Sequence, residues 1–449
     1  MKKKASLTAL GTENVWRLLL QYAIPSVIAM TAASLYNITD SIFIGQGVGA
    51  LAISGLAITF PLMNLAAAFG SLVGAGASTL MSLRLGQKDY TTANNILGNV
   101  VALNLIFGIT YSIIILIFLN PILYFFGASI DTIQYAREYM KIITIGNVIT
   151  HMYFGLNAML RATGNPEKSM YATIFTVIIN AVLSYLFIFV FKWGIRGAAI
   201  ATIIAQASML MWQLKFYSNK KSFIHLQKGI FKLKRKIVKD SLSIGMAPFL
   251  MNVAACVIII IINKQLLKYG GDLDVGAFGI INRVAFLFVM IVMGLNMGMQ
   301  PIAGYNYGAK QIDRVRQVLK YSIVLATIIM TLGFFVSEFF PRAVASIFTK
   351  DVALLDLVIP GLRIVLIFFP IVGFQMVTSI FFESIGMVKK AIFMSLSRQV
   401  IFLLPCLLIL PIFWGTKGVW YSLPVSDALA SILAAYLLIN QYKKFKISK

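Results

Sequence analysis

Twelve long stretches free of charged residues recur along these 449 residues, and no other feature constrains the fold so tightly. They are Leu18–Thr39, part of Ser41–Leu83, Leu97–Leu119, Ile142–Leu160, Ser169–Phe191 and Gly197–Leu214. A second series follows at Ser241–Asn263, Val284–Ala309, Tyr321–Ser337, Ile364–Phe382, Gln399–Thr416 and Gly418–Gln441, the last interrupted by Asp427. About 20 apolar residues cross the hydrocarbon core of a bilayer as a helix. With 59% hydrophobic and 12% charged residues, the chain carries more apolar surface than a soluble fold of this size buries. The reading is an all-α integral membrane protein of twelve transmembrane helices.

Charge placement orients the spans. The net charge of +24 would suggest nucleic acid on a soluble chain. Here 27 Lys and Arg fall on one set of alternating loops and 8 on the other, with four at or inside spans. Such asymmetry marks the cytoplasmic side, so both termini are expected there, in a bacterial plasma (inner) membrane, with no nucleic-acid partner. The start, Met1-Lys2-Lys3-Lys4, leads into a segment too short and too polar for a signal-peptide core, so no cleavage is expected.

The two series repeat each other. Pro25 answers Pro248, Gly70-x-x-x-Gly74 answers Gly294-x-x-x-Gly298, and Leu85-Gly86-Gln87-Lys88 answers Tyr307-Gly308-Ala309-Lys310. Ala162-Thr163-Gly164 answers Ser384-Ile385-Gly386, and Trp193-Gly194-Ile195-Arg196-Gly197 answers Trp414-Gly415-Thr416-Lys417-Gly418. Each half has an even number of spans, so the copies insert the same way up and form two six-helix bundles related by a pseudo-two-fold along the membrane normal. The expected organisation is an N-terminal lobe over 1–214, a basic cytoplasmic linker over 215–239 and a C-terminal lobe over 240–449. Two matched lobes suit alternating access around a central site.

Few side chains in the spans carry chemistry. Asp40 lies 15 residues beyond Pro25, about 22 Å along a helix. Tyr36 shares its helix face at i and i+4, and Asn37 lies beside them. A carboxylate inside a span is costly and marks an ion or substrate pathway, where it can alternate between neutral and charged forms. Pro25 removes one helix hydrogen bond and offers a hinge. Among the amides within spans, Asn157 and Asn180 are the better cleft candidates, because their spans lie in the lobe that holds Asp40. In the second lobe Asn282, Arg283, Arg398 and Asp427 are polar candidates; Asp427 faces either a cleft or an interhelical hydrogen bond. Glu383, next to the turn at Gly386, reads as a solvated acid at a helix end. Gly70, Gly74, Ser78 and Ser82 read as close helix packing. Cys256 and Cys406 form no disulfide framework, and His151 and His225 are too far apart in sequence for a paired-His zinc motif. The chain has no phosphate-binding loop and no G-x-S-x-G elbow, so neither an ATP-driven pump nor an enzyme is expected, and no cofactor.

Several segments resemble the multidrug and toxic compound extrusion (MATE) family. They are Leu35-Tyr36-Asn37-Ile38-Thr39-Asp40-Ser41-Ile42-Phe43-Ile44-Gly45, Gly155-Leu156-Asn157 through Gly164-Asn165-Pro166, Gln300-Pro301-Ile302-Ala303-Gly304-Tyr305-Asn306-Tyr307-Gly308-Ala309 and Ser395-Leu396-Ser397-Arg398-Gln399-Val400. The sequence is most similar to the MepA-like and DinF-like bacterial branch. The resemblance implies efflux of drugs or metabolites in exchange for H⁺ or Na⁺, with Asp40 as the cation-coupled carboxylate and the first span bending near Pro25. It implies that Tyr36, Asn37, Asn157, Asn180 and Thr202 line the N-lobe cavity, and that a Na⁺ at Asp40 is the one metal to consider. Ser184 stands where related members often carry a second carboxylate, so Asp40 works alone. The expected substrate is an amphipathic organic cation, handled by a monomer in the lipid bilayer. The alternative is a flippase or exporter of lipid-linked saccharides or other anionic substrates, favoured by the second-lobe arginines.

Overall fold

The computed structural model describes residues 9–220, 223–227, 229–348 and 352–447, apart from the side chains of residues 35–38, 50, 272 and 446–447. The described chain is all-helical. In the first half α1 spans Val15–Gly47, α2 Ala50–Gly86, α3 Tyr90–Ile117, α4 Ile133–Ile145, α5 Asn147–Ala162, α6 Pro166–Tyr185 and α7 Ile195–Tyr217. In the second, α8 spans Arg235–Tyr269, α9 Asp272–Gly308, α10 Ile312–Phe339, α11 Val352–Leu366, α12 Phe369–Ser384, α13 Val388–Leu396, α14 Leu404–Trp414 and α15 Thr416–Ile447. Helices are what a lipid environment demands, because each backbone N–H and C=O must find its partner within the segment.

Among the described residues ten helical segments are long and apolar enough to cross a membrane, and α11 with α12 makes an eleventh bent by 53°. The sequence run Ile142–Leu160 falls on α4–α5, which breaks at Gly146. The bend at residues 367–368 lies 222 residues further on, so both copies interrupt the same span. Twelve transmembrane helices are consistent with this arrangement.

The turns repeat as faithfully as the spans. Gly49 and Gly271 precede α2 and α9 with φ of 120° and 129°, and Gly164 and Gly386 have φ of 83° and 71°. Lys88 and Lys310 both adopt φ 59°, an unusual left-handed backbone for a residue with a side chain. The contacts also correct one match in the repeat. A Cβ on Gly298 would stand 2.6 Å from the Cα of Ala23 in α1, and one on Gly76 would stand 2.7 Å from the backbone nitrogen of Gly245 in α8. Gly76, rather than Gly74, is therefore the structural counterpart of Gly298, at an offset of 222. Gly74 serves a different contact: a Cβ there would stand 3.6 Å from the Cα of Gly155 in α5, the close helix packing expected of that stripe.

Two compact units result. One holds residues 1–12 and 28–249, the other residues 13–27 and 250–449. Each of the repeat-initiating helices is thus divided between units: α1 after Val27, two residues past Pro25, and α8 after Phe249, one residue past Pro248. In the first unit the basic linker is tied down by two asparagines of α3. Asn94 donates to the Phe223 carbonyl and accepts from the His225 amide. Asn99 donates to the carbonyls of Ile230 and Lys232 and accepts from the Lys234 amide. Each amide satisfies backbone groups that a loop over a helix would otherwise leave unpaired.

The glycine crossings yield a stability prediction. Gly76→Ala and Gly298→Ala should each cost about 1–3 kcal/mol, since backbone rather than a flexible side chain must move aside. Gly279→Ala, in α9 with open space around its Cβ, should be neutral or slightly stabilising. Thermal melts in detergent compare the three; equal melting temperatures would remove the close crossings as a stability element.

Candidate functional site

The first unit buries one span carboxylate among neutral partners. Asp40 in α1 is 6% exposed, and Ser184 near the end of α6 donates its hydroxyl to Asp40 Oδ1 at 3.1 Å. Ser184 also lies within 3.5 Å of Asn180 Oδ1, one helical turn back. Asn180 Nδ2 donates to Thr202 Oγ1 on α7 at 3.1 Å, and Thr202 in turn donates to the Ala198 carbonyl. Three helices thus deliver a carboxylate, two hydroxyls and an amide to one buried cluster. Just past Ser184 the chain continues as a π-helical turn, Leu186–Val190, a widened geometry that often accompanies functional sites.

Among the described residues no Lys or Arg forms an ion pair with Asp40. Its hydrogen bond comes from a neutral hydroxyl, so nothing in this contact cancels its charge. Among the described residues no three His, Cys, Asp or Glu side chains cluster as metal ligands. Any cation at Asp40 would meet one carboxylate supplemented by neutral oxygens.

The other sequence candidates fall in several places. Asn157 is 5% exposed and donates to Thr173 Oγ1 on α6, while its Oδ1 has no protein partner. Pro25 is buried within a helix that runs unbroken from Val15 to Gly47. Tyr36 and Asn37 belong to that helix, but their side chains lie outside the described residues. Asn282 and Arg283 are exposed. Arg398 Nε donates to Asp427 Oδ1 at 2.6 Å, so Asp427 has an interhelical partner. Glu383 corrects the reading of a solvated acid: it is 8% exposed and accepts from Gln300 of α9 at 3.0 Å. Its proximity to a turn in sequence concealed that α9 covers it.

Sequence reasoning missed the hydroxyls of α6. Thr176 donates to the Tyr153 hydroxyl at 3.1 Å, and Arg161 donates to Ser169 Oγ at 3.0 Å. Serine and threonine in spans attract no notice singly; their spacing of three and four residues was the available signal.

The MatE family model matches residues 25–186 and 246–408, one segment in each repeat. The chain belongs to the MATE family. Multidrug export protein MepA of Staphylococcus haemolyticus (strain JCSC1435) is 24% identical over 436 residues, covering 97% of this chain and 96% of that protein. The solved structure of the MATE multidrug transporter DinF-BH, a complex with a bound compound, is 35% identical, with a TM-score of 0.91 and 98% of each chain covered. An outward-facing conformation of a multidrug resistance MATE family transporter of the MOP superfamily superposes with a TM-score of 0.93 at 24% identity, covering 99% of this chain and 100% of that one.

The Arg398–Asp427 pair is open to a double-mutant cycle. Asp427→Ala should cost roughly 1–3 kcal/mol, below the full cost of orphaning a buried charge because the Arg398 side chain is 32% exposed. Arg398→Met in that background should recover much of the loss. Thermal melting of both singles and the double gives the coupling, and strictly additive losses would show that the pair is not coupled.

Proposed function

We propose that this MATE-family chain exports amphipathic organic cations across a bacterial plasma membrane by antiport with H⁺ or Na⁺, with Asp40 as the coupling carboxylate. The observation that carries this reading is a buried Asp40 whose hydrogen-bond partner, Ser184, is neutral. A charge in such surroundings is stabilised by whatever cation reaches it, and binding that cation removes the charge. An ion shifts a two-state transporter only through a difference in affinity between the states. A lone carboxylate provides that difference if its access or its hydrogen bonds differ between them. Tyr36, Asn37, Asn157, Asn180 and Thr202 are the proposed N-lobe cavity residues, and Pro25 the hinge of the helix that carries Asp40. The proposed setting has both termini in the cytoplasm and the chain acting as a monomer. The relatives support the direction of transport and the kind of cargo: the MepA proteins are named for multidrug export, and DinF-BH is described as a multidrug transporter.

The flippase alternative drew on a cluster of second-lobe arginines. Asp427 neutralises Arg398, and Glu338 lies 3.8 Å from Arg363. A cationic lobe interior for anionic cargo therefore has little support from these side chains.

In proteoliposomes, Asp40→Asn should reduce ion-driven export of a fluorescent organic cation to the background of empty vesicles while the protein still melts cooperatively. Abolishing the H⁺ gradient and the Na⁺ gradient separately identifies the coupling ion. Transport at wild-type rate by Asp40→Asn would refute the proposal.

A further inference from the structure

Helix α6 is amphipathic in an unusual sense. Tyr171, Phe175, Ile178, Val182 and Tyr185 are all about half exposed and share one face. Ser169, Thr173, Thr176, Asn180 and Ser184 share another, at spacings of four, three, four and four residues, and all are buried or half-buried. Each of the five polar side chains bonds to a different residue. Ser184 donates to Asp40, Asn180 to Thr202 and Thr176 to Tyr153, while Thr173 accepts from Asn157 and Ser169 from Arg161. Fifteen residues of helix separate Ser169 from Ser184, about 22 Å of rise. The stripe therefore runs from the carboxylate to Arg161 and Lys168, on the side that the Lys and Arg distribution assigns to the cytoplasm.

The duplication supplies an internal control. At an offset of 222, Ser169, Asn180 and Ser184 become Ala391, Phe402 and Cys406, Thr176 becomes Arg398, which is bound to Asp427, and Thr173 alone keeps a hydroxyl, as Ser395. At an offset of 222 or 223, Asp40 itself becomes Ile262 or Asn263. The helix can be built without the stripe, so the fold does not require it. The complete stripe occurs only in the repeat that has a carboxylate at the position of Asp40. Asn157 Oδ1, buried against the stripe with no protein partner, adds an acceptor that a buried water or hydronium would satisfy.

We propose that the polar stripe of α6 is the route by which protons pass between Asp40 and the cytoplasmic side, with Thr173, Thr176 and Tyr153 as its central relay groups. The proposal rests on Asp40 being a proton-coupled carboxylate and specifies its path. A hydroxyl relays by accepting a proton on oxygen while releasing its own to the next acceptor, so each group ends neutral with its O–H reversed and turns back before the next proton. Waters held between the hydroxyls and amides carry the steps where side chains alone do not meet. On discharge, Asp40 gives its proton to this file and one proton leaves beside Ser169 and Arg161.

The test measures proton flux and drug counter-flux together in proteoliposomes, with substrate affinity measured separately in detergent. Thr173→Val/Thr176→Val keeps side-chain shape but breaks the file away from Asp40. It should slow proton-coupled transport at least roughly tenfold, the low side of what positioned proton transfer contributes. Substrate affinity should be unchanged. Thr173→Ser/Thr176→Ser should transport normally, as should Ser395→Ala at the position equivalent to Thr173. Should the double valine variant fail to fold, Thr176→Val alone decides the matter by the same readouts. Wild-type flux in a folded valine variant, with Asp40→Asn inactive beside it, would overturn the route and leave the coupling carboxylate standing. Wild-type flux in Asp40→Asn would overturn both.

Discussion

A charge taken out of water must be answered by something, and the buried carboxylates of this chain are answered in different ways. In the second unit Asp427 meets the guanidinium of Arg398, and Glu383 meets the amide of Gln300. In the first, Asp40 meets a serine hydroxyl. A full opposite charge compensates a carboxylate directly, whereas a neutral amide or hydroxyl only donates a hydrogen bond to it. An ion-coupled exporter needs both behaviours. It needs polar groups that hold helices together permanently and at least one whose charge can change during the cycle.

Gene duplication makes this division visible. The backbone has been copied closely, down to the left-handed lysines at 88 and 310 and the interrupted spans at 146 and 367–368. The side chains have diverged where the chemistry lies. Close glycine crossings persist in both copies because backbone approach leaves no room for a Cβ, whatever the cargo. The polar cluster does not persist, because the second copy packs Phe402 and Cys406 where the first has Asn180 and Ser184. Backbone architecture and the buried polar groups have thus come under separate constraints within one chain.

Much of this was legible in the sequence, for physical reasons that differ by residue. The spans were readable because hydrocarbon forbids charge over about 20 residues, and Asp40 stood out because it breaks that rule. The substitution at Ser184 was visible as a residue type, but its role as the donor to Asp40 required knowing how α1 and α6 face each other. Arg398 and Asp427 were each conspicuous, and an interhelical hydrogen bond was one reading of Asp427, yet their 29-residue separation did not pair them with each other. Glu383 was misread because burial by α9 is a tertiary fact. The repeat was found with one register error, since a GxxxG pattern at Gly70 and Gly74 resembles Gly294 and Gly298 more than the single glycine Gly76 does.

The division of α1 bears on how a local charge change could have a long reach. Asp40 and Pro25 lie on one continuous helix, but residues up to Val27 pack with the second unit and the remainder with the first. The segment before the division is held tightly, since a Cβ on Gly298 would stand 2.6 Å from Ala23 Cα and one on Gly294 the same distance from Val27 Cα. A helix so anchored cannot shift at Asp40 without either dragging those contacts or flexing between them and the carboxylate. Proline removes one backbone hydrogen bond and lowers the cost of flexing near residue 25. The repeat-related α8 has the same construction, with Pro248 beside its own division at Phe249 and Gly245 tight against Leu72. It carries no carboxylate at the position equivalent to Asp40. The two shared helices therefore have the same backbone construction and differ at residue 40, where only α1 carries a carboxylate.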